Sequence, residues 1–338
     1  MEDLFDLETT LTKPSKNIVR EIKELEGDIL ILGVGGKVGP SLAIMAKRAI
    51  DEAGLSKKVI GVSRFSTGNL KQRLEEAGVE TIVADLLKEE ELNNLPEVKN
   101  VIHMVGHKFG TTGNEYYTWG VNAYLSGRVA EKFKDSNIIV FSTGNVYPLI
   151  ELNSGGASEN NNTGPIGEYA QSCLGRERIF EYFSYKNETP MVMFRLSYAV
   201  ELRYGILLEI AKSVKNEEPI NLEMGFVNVI WQGDVCERAL RALFYCNKPP
   251  ELLNITGPEM ISVRWLAETF GELFDKSPKL VGEEKNTALL NNAVKSNKMF
   301  GYPTVSLKEM IEWTANWVEI GGDTIHKPTH FQEREGAF

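Results

Sequence analysis

The chain has 338 residues, is 42% apolar and 25% charged, and carries a formal net charge of −10. That length suggests about two domains with a sizeable core, and the acidic balance argues against nonspecific nucleic-acid binding. No apolar run approaches the roughly 18 residues of a membrane span, so no membrane partner is expected. The three cysteines, Cys173, Cys236 and Cys246, have no metal-ligand spacing, and such sparse usage points to a reducing cytoplasm. The four histidines, His103, His107, His326 and His330, are too scattered to suggest a metal site.

Residues 1–27 read as an N-terminal arm, in which Ile18–Leu25 has helical spacing and is expected to pack on the following core. The acidic start, MEDLFDLETT, lacks the basic and apolar parts of a signal peptide. Ile29–Leu32 is an unbroken apolar run, short enough for a buried strand. Glycines follow at Gly33, Gly35, Gly36 and Gly39, then Pro40, suited to the first turn of a helix over Ser41–Ala53. Strand, glycine turn and helix together present backbone N–H groups and a positive helix end to a phosphate. Gly33 would allow the tight turn, Gly36 the approach of a pyrophosphate, and Gly39 close packing of the helix. Lys37 and Val38 lie within this turn and are assigned to the same site.

Lys57–Val62 reads as a second strand ending in Ser63 and Arg64. An acid here would bond a ribose 2′-hydroxyl, whereas an arginine accommodates a 2′-phosphate. NADP is therefore the expected cofactor, with NAD as the alternative. Leu70–Ala77 reads as a helix, Glu80–Val83 as a third strand ending at Asp85 and Leu86, and Lys88–Leu95 as a polar helix. Asn100–Val105 is a fourth strand ending in Gly106, followed by a loop over 107–115 and a long helix over Tyr116–Phe133. Asn137–Phe141 is a fifth strand running into Ser142, Thr143 and Asn145. Such alternation describes right-handed βαβ units and a parallel sheet, whose ligands bind beyond the carboxyl ends of the strands. Gly33, Ser63, Asp85, Gly106 and Thr143 all fall there.

Residues 151–165 form a Gly-, Ser- and Asn-rich loop, and Gly167–Ser184 a helix that carries Tyr169, Cys173 and Arg176 on one face. Met191–Leu196 is a sixth strand. Ile206–Val214, Val235–Phe244, Val263–Phe274 and Leu307–Val318 read as helices, with short strands at Phe226–Trp231 and Leu252–Ile255. The tail from Gly321 has no regular apolar period and is expected to wrap the surface.

Taken together these residues resemble the extended short-chain dehydrogenase/reductases, the group of nucleotide-sugar epimerases and dehydratases. The resemblance runs over most of Asp28–Val318. Gly33-x-x-Gly36-x-x-Gly39 resembles the family's phosphate turn, Asp85-Leu86 its adenine-contacting pair, and His103-Met104-Val105-Gly106 its fourth-strand motif. Asn122 matches its helix-four asparagine. Ser142-Thr143-x-x-Val146-Tyr147 resembles its catalytic Ser/Thr motif, which implies that Thr143 holds a substrate hydroxyl and Tyr169 moves its proton. Arg195-Leu196 resembles the family's next strand, and Asn228–Val235 the strand and cap that line its sugar pocket. Asn145, Arg195 and Gln232, with Thr143, are thereby implied as substrate contacts. The implied fold is α/β, a Rossmann-type doubly wound parallel sheet with helices on both faces and a smaller C-terminal α/β substrate domain. The dinucleotide-binding domain would span 28–195, with 226–250 returning to it, and the substrate domain 196–225 and 251–338. A homodimer is the assembly to consider.

One departure stands out. The family pattern Tyr-x-x-x-Lys here reads Tyr169-Ala170-Gln171-Ser172-Cys173. That lysine normally binds the nicotinamide ribose and lowers the tyrosine pKa, and a cation about 5 Å away is worth roughly 3 kcal/mol at an effective dielectric near 20. Lys108 and Arg176 are the candidates to replace it, and Cys173 is either a small buried residue or part of the rearranged site. The implied function is NAD(P)-dependent hydride transfer on a sugar-like substrate, with a nucleotide-binding protein of little turnover as the alternative and a structural role third.

Overall fold

The computed structural model describes residues 3–66 and 68–337. The central sheet is parallel and has seven strands: β1 (Ile29–Leu32), β2 (Val59–Ser63), β3 (Glu80–Val83), β4 (Asn100–His103), β5 (Asn137–Thr143), β6 (Met191–Leu196) and β7 (Glu251–Ile255). Their spatial order is β7-β6-β5-β4-β1-β2-β3. The chain order reverses between β1 and β4, and a crevice opens there at the carboxyl ends of the strands. Strand alternation explains the layers. Ile29 and Ile31 face one apolar core, and Leu30 and Leu32 face another on the opposite side of the sheet.

The helices follow in chain order. α1 (Leu4–Thr12) and α2 (Lys16–Glu21) form the arm, and α3 (Gly39–Glu52) follows the glycine turn. α4 (Leu70–Glu76) and α5 (Glu89–Asn93) join the next strands, and α6 (Glu115–Trp119) and α7 (Leu125–Lys132) precede β5. α8 (Gly167–Asn187) is the longest, at 21 residues. α9 (Ile206–Lys215), α10 (Gln232–Ala242), α11 (Val263–Phe274), α12 (Val294–Phe300) and α13 (Leu307–Glu319) complete the chain. Residues of α3 and α10 share one core with Ile29 and Ile31, whereas Val129 of α7 and Phe180 of α8 share the other with Leu30 and Leu32. Among the described residues no helix is long and apolar enough to cross a membrane.

Two sequence expectations are corrected. The sequence places Glu251–Ile255 in the second unit, but it is the edge strand of the main sheet, with Leu253 paired to Phe194. Leu253 and Ile255 are fully buried, and the Asn254 side chain accepts from the Tyr147 hydroxyl at 2.9 Å. In the arm, Ile18, Ile22 and Leu25 pack on the sheet core as expected, and Leu7 and Leu11 of α1 join the second core with α9, α11 and α13. The helix expected over Tyr116–Phe133 is interrupted by a wider π turn at Gly120–Tyr124. Such turns aim a side chain that a regular helix would leave aside, and Asn122 is that side chain here.

Candidate active site

Two cavities meet at the glycine turn, and both are lined by Gly33, Gly36, Met104 and Gly106. The first, about 450 Å³, runs past Ser63, Arg64, Asp85, Leu86 and Val105. The second, about 270 Å³, runs past Lys37, Val38, Lys108, Thr143, Asn145, Tyr169 and Gln232.

Each glycine of the turn has its own reason. Gly33 has φ +87°, and a Cβ there would lie 2.9 Å from the Val105 backbone nitrogen. A Cβ at Gly39 would lie 2.3 Å from the Val34 carbonyl, so α3 seats against β1 only without a side chain. Gly36 is different. Its nearest neighbour would be the Gly33 carbonyl at 3.4 Å, and it opens on both cavities. The turn therefore leaves a cradle at the N-terminus of a 14-residue helix, suited to a pyrophosphate. Around the first cavity, the Asp85 carboxylate accepts from the Leu87 N–H at 3.1 Å, and Arg64 stands exposed at the rim.

At the other end, Tyr169 lies one turn into α8 and is hydrogen-bonded to both Thr143 and Cys173. The Thr143 hydroxyl also donates to Asn145 Oδ1 at 2.9 Å and accepts from the Asn145 N–H at 3.2 Å. Burial pushes the Tyr169 phenol far above its ordinary range and Cys173 adds to this, while Arg176 and the Thr143 hydrogen bond oppose it. Burial likewise raises the Cys173 thiol. Cys173 is 1% exposed and is hydrogen-bonded to Tyr169 rather than placed beside a general base.

Both candidate cations converge on this pair. The Lys108 Nζ lies 5.8 Å from the Tyr169 ring centre. Burial lowers its pKa to about 8, against the charges of Cys173 and Glu209. Arg176 is fixed from below, its Nη1 donating to the Phe141 carbonyl at 2.6 Å and its Nε to the Asn122 carbonyl at 3.2 Å. The Asn122 amide is fully used: Oδ1 accepts from the His107 N–H and from Arg176 Nη2, and Nδ2 donates to the His107 carbonyl and Ser172 Oγ. The loop that carries Lys108 is thereby tied to the helix that carries Tyr169.

Gln232 lines the second cavity and donates to Ser41 Oγ at 3.1 Å. Arg195, expected as a substrate contact, is instead buried in a pair with Glu177. Nη2 reaches Oε2 at 2.6 Å and Nε reaches Oε1 at 2.9 Å. Its Nη1 donates to the Tyr147 hydroxyl at 2.7 Å, so the guanidinium is spent inside the protein. Several cleft residues escaped sequence reasoning: Phe109, Tyr198, Tyr204 and, from the tail, Lys327 and Thr329. The tail carried no periodic signal, so nothing marked these last two.

Sheet order and glycine turn together define a doubly wound α/β protein with its cleft at the point where the strand order reverses. A family model described as the NAD dependent epimerase/dehydratase family matches residues 29–200, and the chain belongs to that family. No protein of curated function matches the sequence. Solved structures similar in fold include a UDP-glucuronic acid 4-epimerase from Bacillus cereus, crystallised with a fluorinated UDP-sugar and NAD, at TM-score 0.72 and 19% identity. The match covers 87% of this chain and 99% of that one. A UDP-glucose 4-epimerase from Thermotoga maritima with UDP-glucose matches at TM-score 0.71 and 18% identity, over 87% and 99%. The UDP-glucose 4-epimerase of Thermus thermophilus with NAD matches at TM-score 0.67 and 19% identity, over 86% and 98%. At these identities the likeness establishes the fold.

Proposed function

We propose that this protein is a NAD(P)-dependent oxidoreductase or epimerase of a sugar-like or nucleotide-sugar substrate. The observation that carries the reading is the Tyr169 hydroxyl, bonded to Thr143 and flanked by Lys108 and Arg176 at the end of a cavity that begins at the glycine cradle. Gly33, Gly36, Lys37, Val38 and Gly39 would hold the pyrophosphate. Ser63, Arg64, Asp85 and Leu86 would hold the adenosine half, and Val105, Gly106 and Tyr169 the nicotinamide half. NADP is preferred over NAD on the strength of Arg64. When bound, the nicotinamide supplies reversible hydride acceptance at its C4 position.

The side chains do the rest. Thr143 and Asn145 orient the reacting hydroxyl, with Gln232 at the floor. Tyr169 takes the hydroxyl proton as the carbonyl forms and returns it in the reverse step. The buried phenol needs a nearby positive charge to ionise, and Lys108 and Arg176 supply it in place of the absent lysine. Cys173, small and neutral, leaves the space between them clear.

A second reading, a nucleotide-binding protein with little turnover, is favoured by the strong upward push of burial on Tyr169. One experiment separates the two. The purified protein is titrated with NADH and NADPH, then incubated with a panel of UDP-sugars and free sugars while nicotinamide absorbance and product stereochemistry are followed. Binding with turnover that is lost in Tyr169→Phe supports the enzyme. Binding without turnover supports the second reading.

A further inference from the structure

The tail does more than wrap the surface. From the second unit, Ile325 bonds the Arg203 carbonyl at 3.0 Å, and Thr329 Oγ1 bonds Glu209 at 2.6 Å. Phe331 is buried in the second core. Arg334 then reaches the Glu223 and Thr287 carbonyls at 2.9 and 2.8 Å, and Gly336 packs against the Ile166–Gly167 backbone at the start of α8. Anchored at both ends, the segment crosses the cleft. Between the anchors, Lys327 lines the first cavity beside Gly33, Gly35 and Gly36, and Thr329 lines the second.

Lys327 meets two other ammonium groups there. Around the Phe109 ring, Lys37 stands at 4.3 Å, Lys108 at 5.5 Å and Lys327 at 5.9 Å from the centre. Glu209, which also accepts from Thr329, faces Lys37 and Lys108 and offsets part of their charge, one carboxylate against three ammonium groups. Aromatic packing accounts for part of the arrangement, since Lys37 also lies 3.3 Å over Tyr204. It does not account for a third lysine brought from a distant part of the chain to the cavity that the glycine turn lines. Like charges drawn this close cost free energy unless an anion sits among them. The cost is visible at Lys37, whose pKa falls to about 7 through burial and then through Lys108 and Lys327.

We propose that residues 323–337 form a strap that completes an anion seat, in which Lys327, Lys37 and Lys108 grip a phosphate or carboxylate of the ligand and that anion in turn holds the strap down. The inference rests on the cleft being the ligand site of the proposed function. The anion has two sources of the same chemistry, the diphosphate of the dinucleotide or an acidic group on the second substrate.

The test uses the full chain and inorganic pyrophosphate as probe, with calorimetric titration and hydrogen exchange of residues 323–337. Lys327 is exposed, so its substitution spares the fold. Pyrophosphate is expected to slow exchange in the strap. Lys327→Ala should weaken its binding by about tenfold, and Lys327→Arg should stay within about threefold of wild type. Pyrophosphate displaced by NAD assigns the seat to the dinucleotide, and pyrophosphate that binds alongside NAD assigns it to the second substrate. If no dinucleotide binds but pyrophosphate shows the Lys327 dependence, the oxidoreductase reading falls and the seat stands. Failure of wild type to bind pyrophosphate at millimolar concentration overturns the seat. Equal affinity in Lys327→Ala, or strap exchange unchanged at saturation, does the same.

Discussion

The Lys108 ammonium lies 5.8 Å from the centre of the Tyr169 ring, although the two residues come from different elements, the loop after β4 and the helix α8. Four positions after Tyr169, where the related pattern has a lysine, stands Cys173. In the proposed reading the positive charge is supplied from the loop after β4 instead of from α8. At about 6 Å and an effective dielectric near 20, such a charge is worth roughly 2–3 kcal/mol, and solvent reduces that. Lys108→Ala should therefore lower turnover by about tenfold below pH 8, where Lys108 is protonated, and change it little above that pH. Lys108→Arg should restore it, because guanidinium stays charged. Unchanged turnover below pH 8 in Lys108→Ala would leave Arg176 as the sole activating cation.

Arg64 stands at the rim of the first cavity, at the carboxyl end of β2. Its exposed guanidinium should gain a modest charge-assisted contact with a 2′-phosphate and nothing from a 2′-hydroxyl. Arg64→Ala is expected to weaken NADPH by about five- to tenfold and leave NADH within about twofold, read by fluorescence titration. Equal losses for both cofactors would place Arg64 at the shared diphosphate instead.

The Glu177–Arg195 pair is 3% exposed on each side, and Ser142 Oγ donates to Glu177 at 2.5 Å. It ties β5, β6 and α8 together directly beneath Thr143. Removing one partner strands a buried charge, so Glu177→Ala or Arg195→Ala should cost about 3–5 kcal/mol in denaturant unfolding. Glu177→Leu combined with Arg195→Met should cost less than either alone, since no charge is then left unpaired.

Much of this fold was legible because local signals and tertiary needs agree. Ile29–Leu32 is apolar on both faces because helices cover both faces of the sheet, and Gly33 and Gly39 are demanded by backbone contact, with Gly36 open to the cavities between them. Arg195 misled because an arginine at a strand end reads the same whether it faces a ligand or a buried glutamate. Its partner, Glu177, lies on another element and shows no periodic link to it. Glu251–Ile255 misled because a short strand with three apolar residues names no sheet. The tail was opaque for a related reason: Lys327 and Thr329 are placed by anchors at Arg203, Glu209 and Thr287, contacts that only the folded chain brings together.

The last prediction concerns stability without ligand. Lys37 has a folded pKa of about 7 against an ordinary value of 10.5, lowered by burial first and then by Lys108 and Lys327, with Glu209 opposing. Between pH 7 and 10.5 the unfolded chain thus carries a proton at Lys37 that the folded chain has released. Stability must rise with pH across that window and flatten below it, where both states are protonated. Lys108, lowered to about 8, contributes in the same direction from pH 8 upward. Inside the window the slope for this one proton is about 1.4 kcal/mol per pH unit, and partial solvation of the Lys37 ammonium narrows the window rather than lowering that slope. Lys37→Met keeps the packing on Tyr204 and Phe109 and removes the charge. It should raise the melting temperature at pH 7 by a few degrees and reduce the slope of stability between pH 7 and 9, both read from urea unfolding and calorimetry of the ligand-free protein. Saturating pyrophosphate should reverse the ranking, because an anion in the seat favours the protonated lysine and stabilises wild type but not Lys37→Met. A wild-type slope equal to that of Lys37→Met would mean that the ammonium is as well solvated in the fold as in the unfolded chain, and the crowding of charge around Phe109 would then have no thermodynamic consequence.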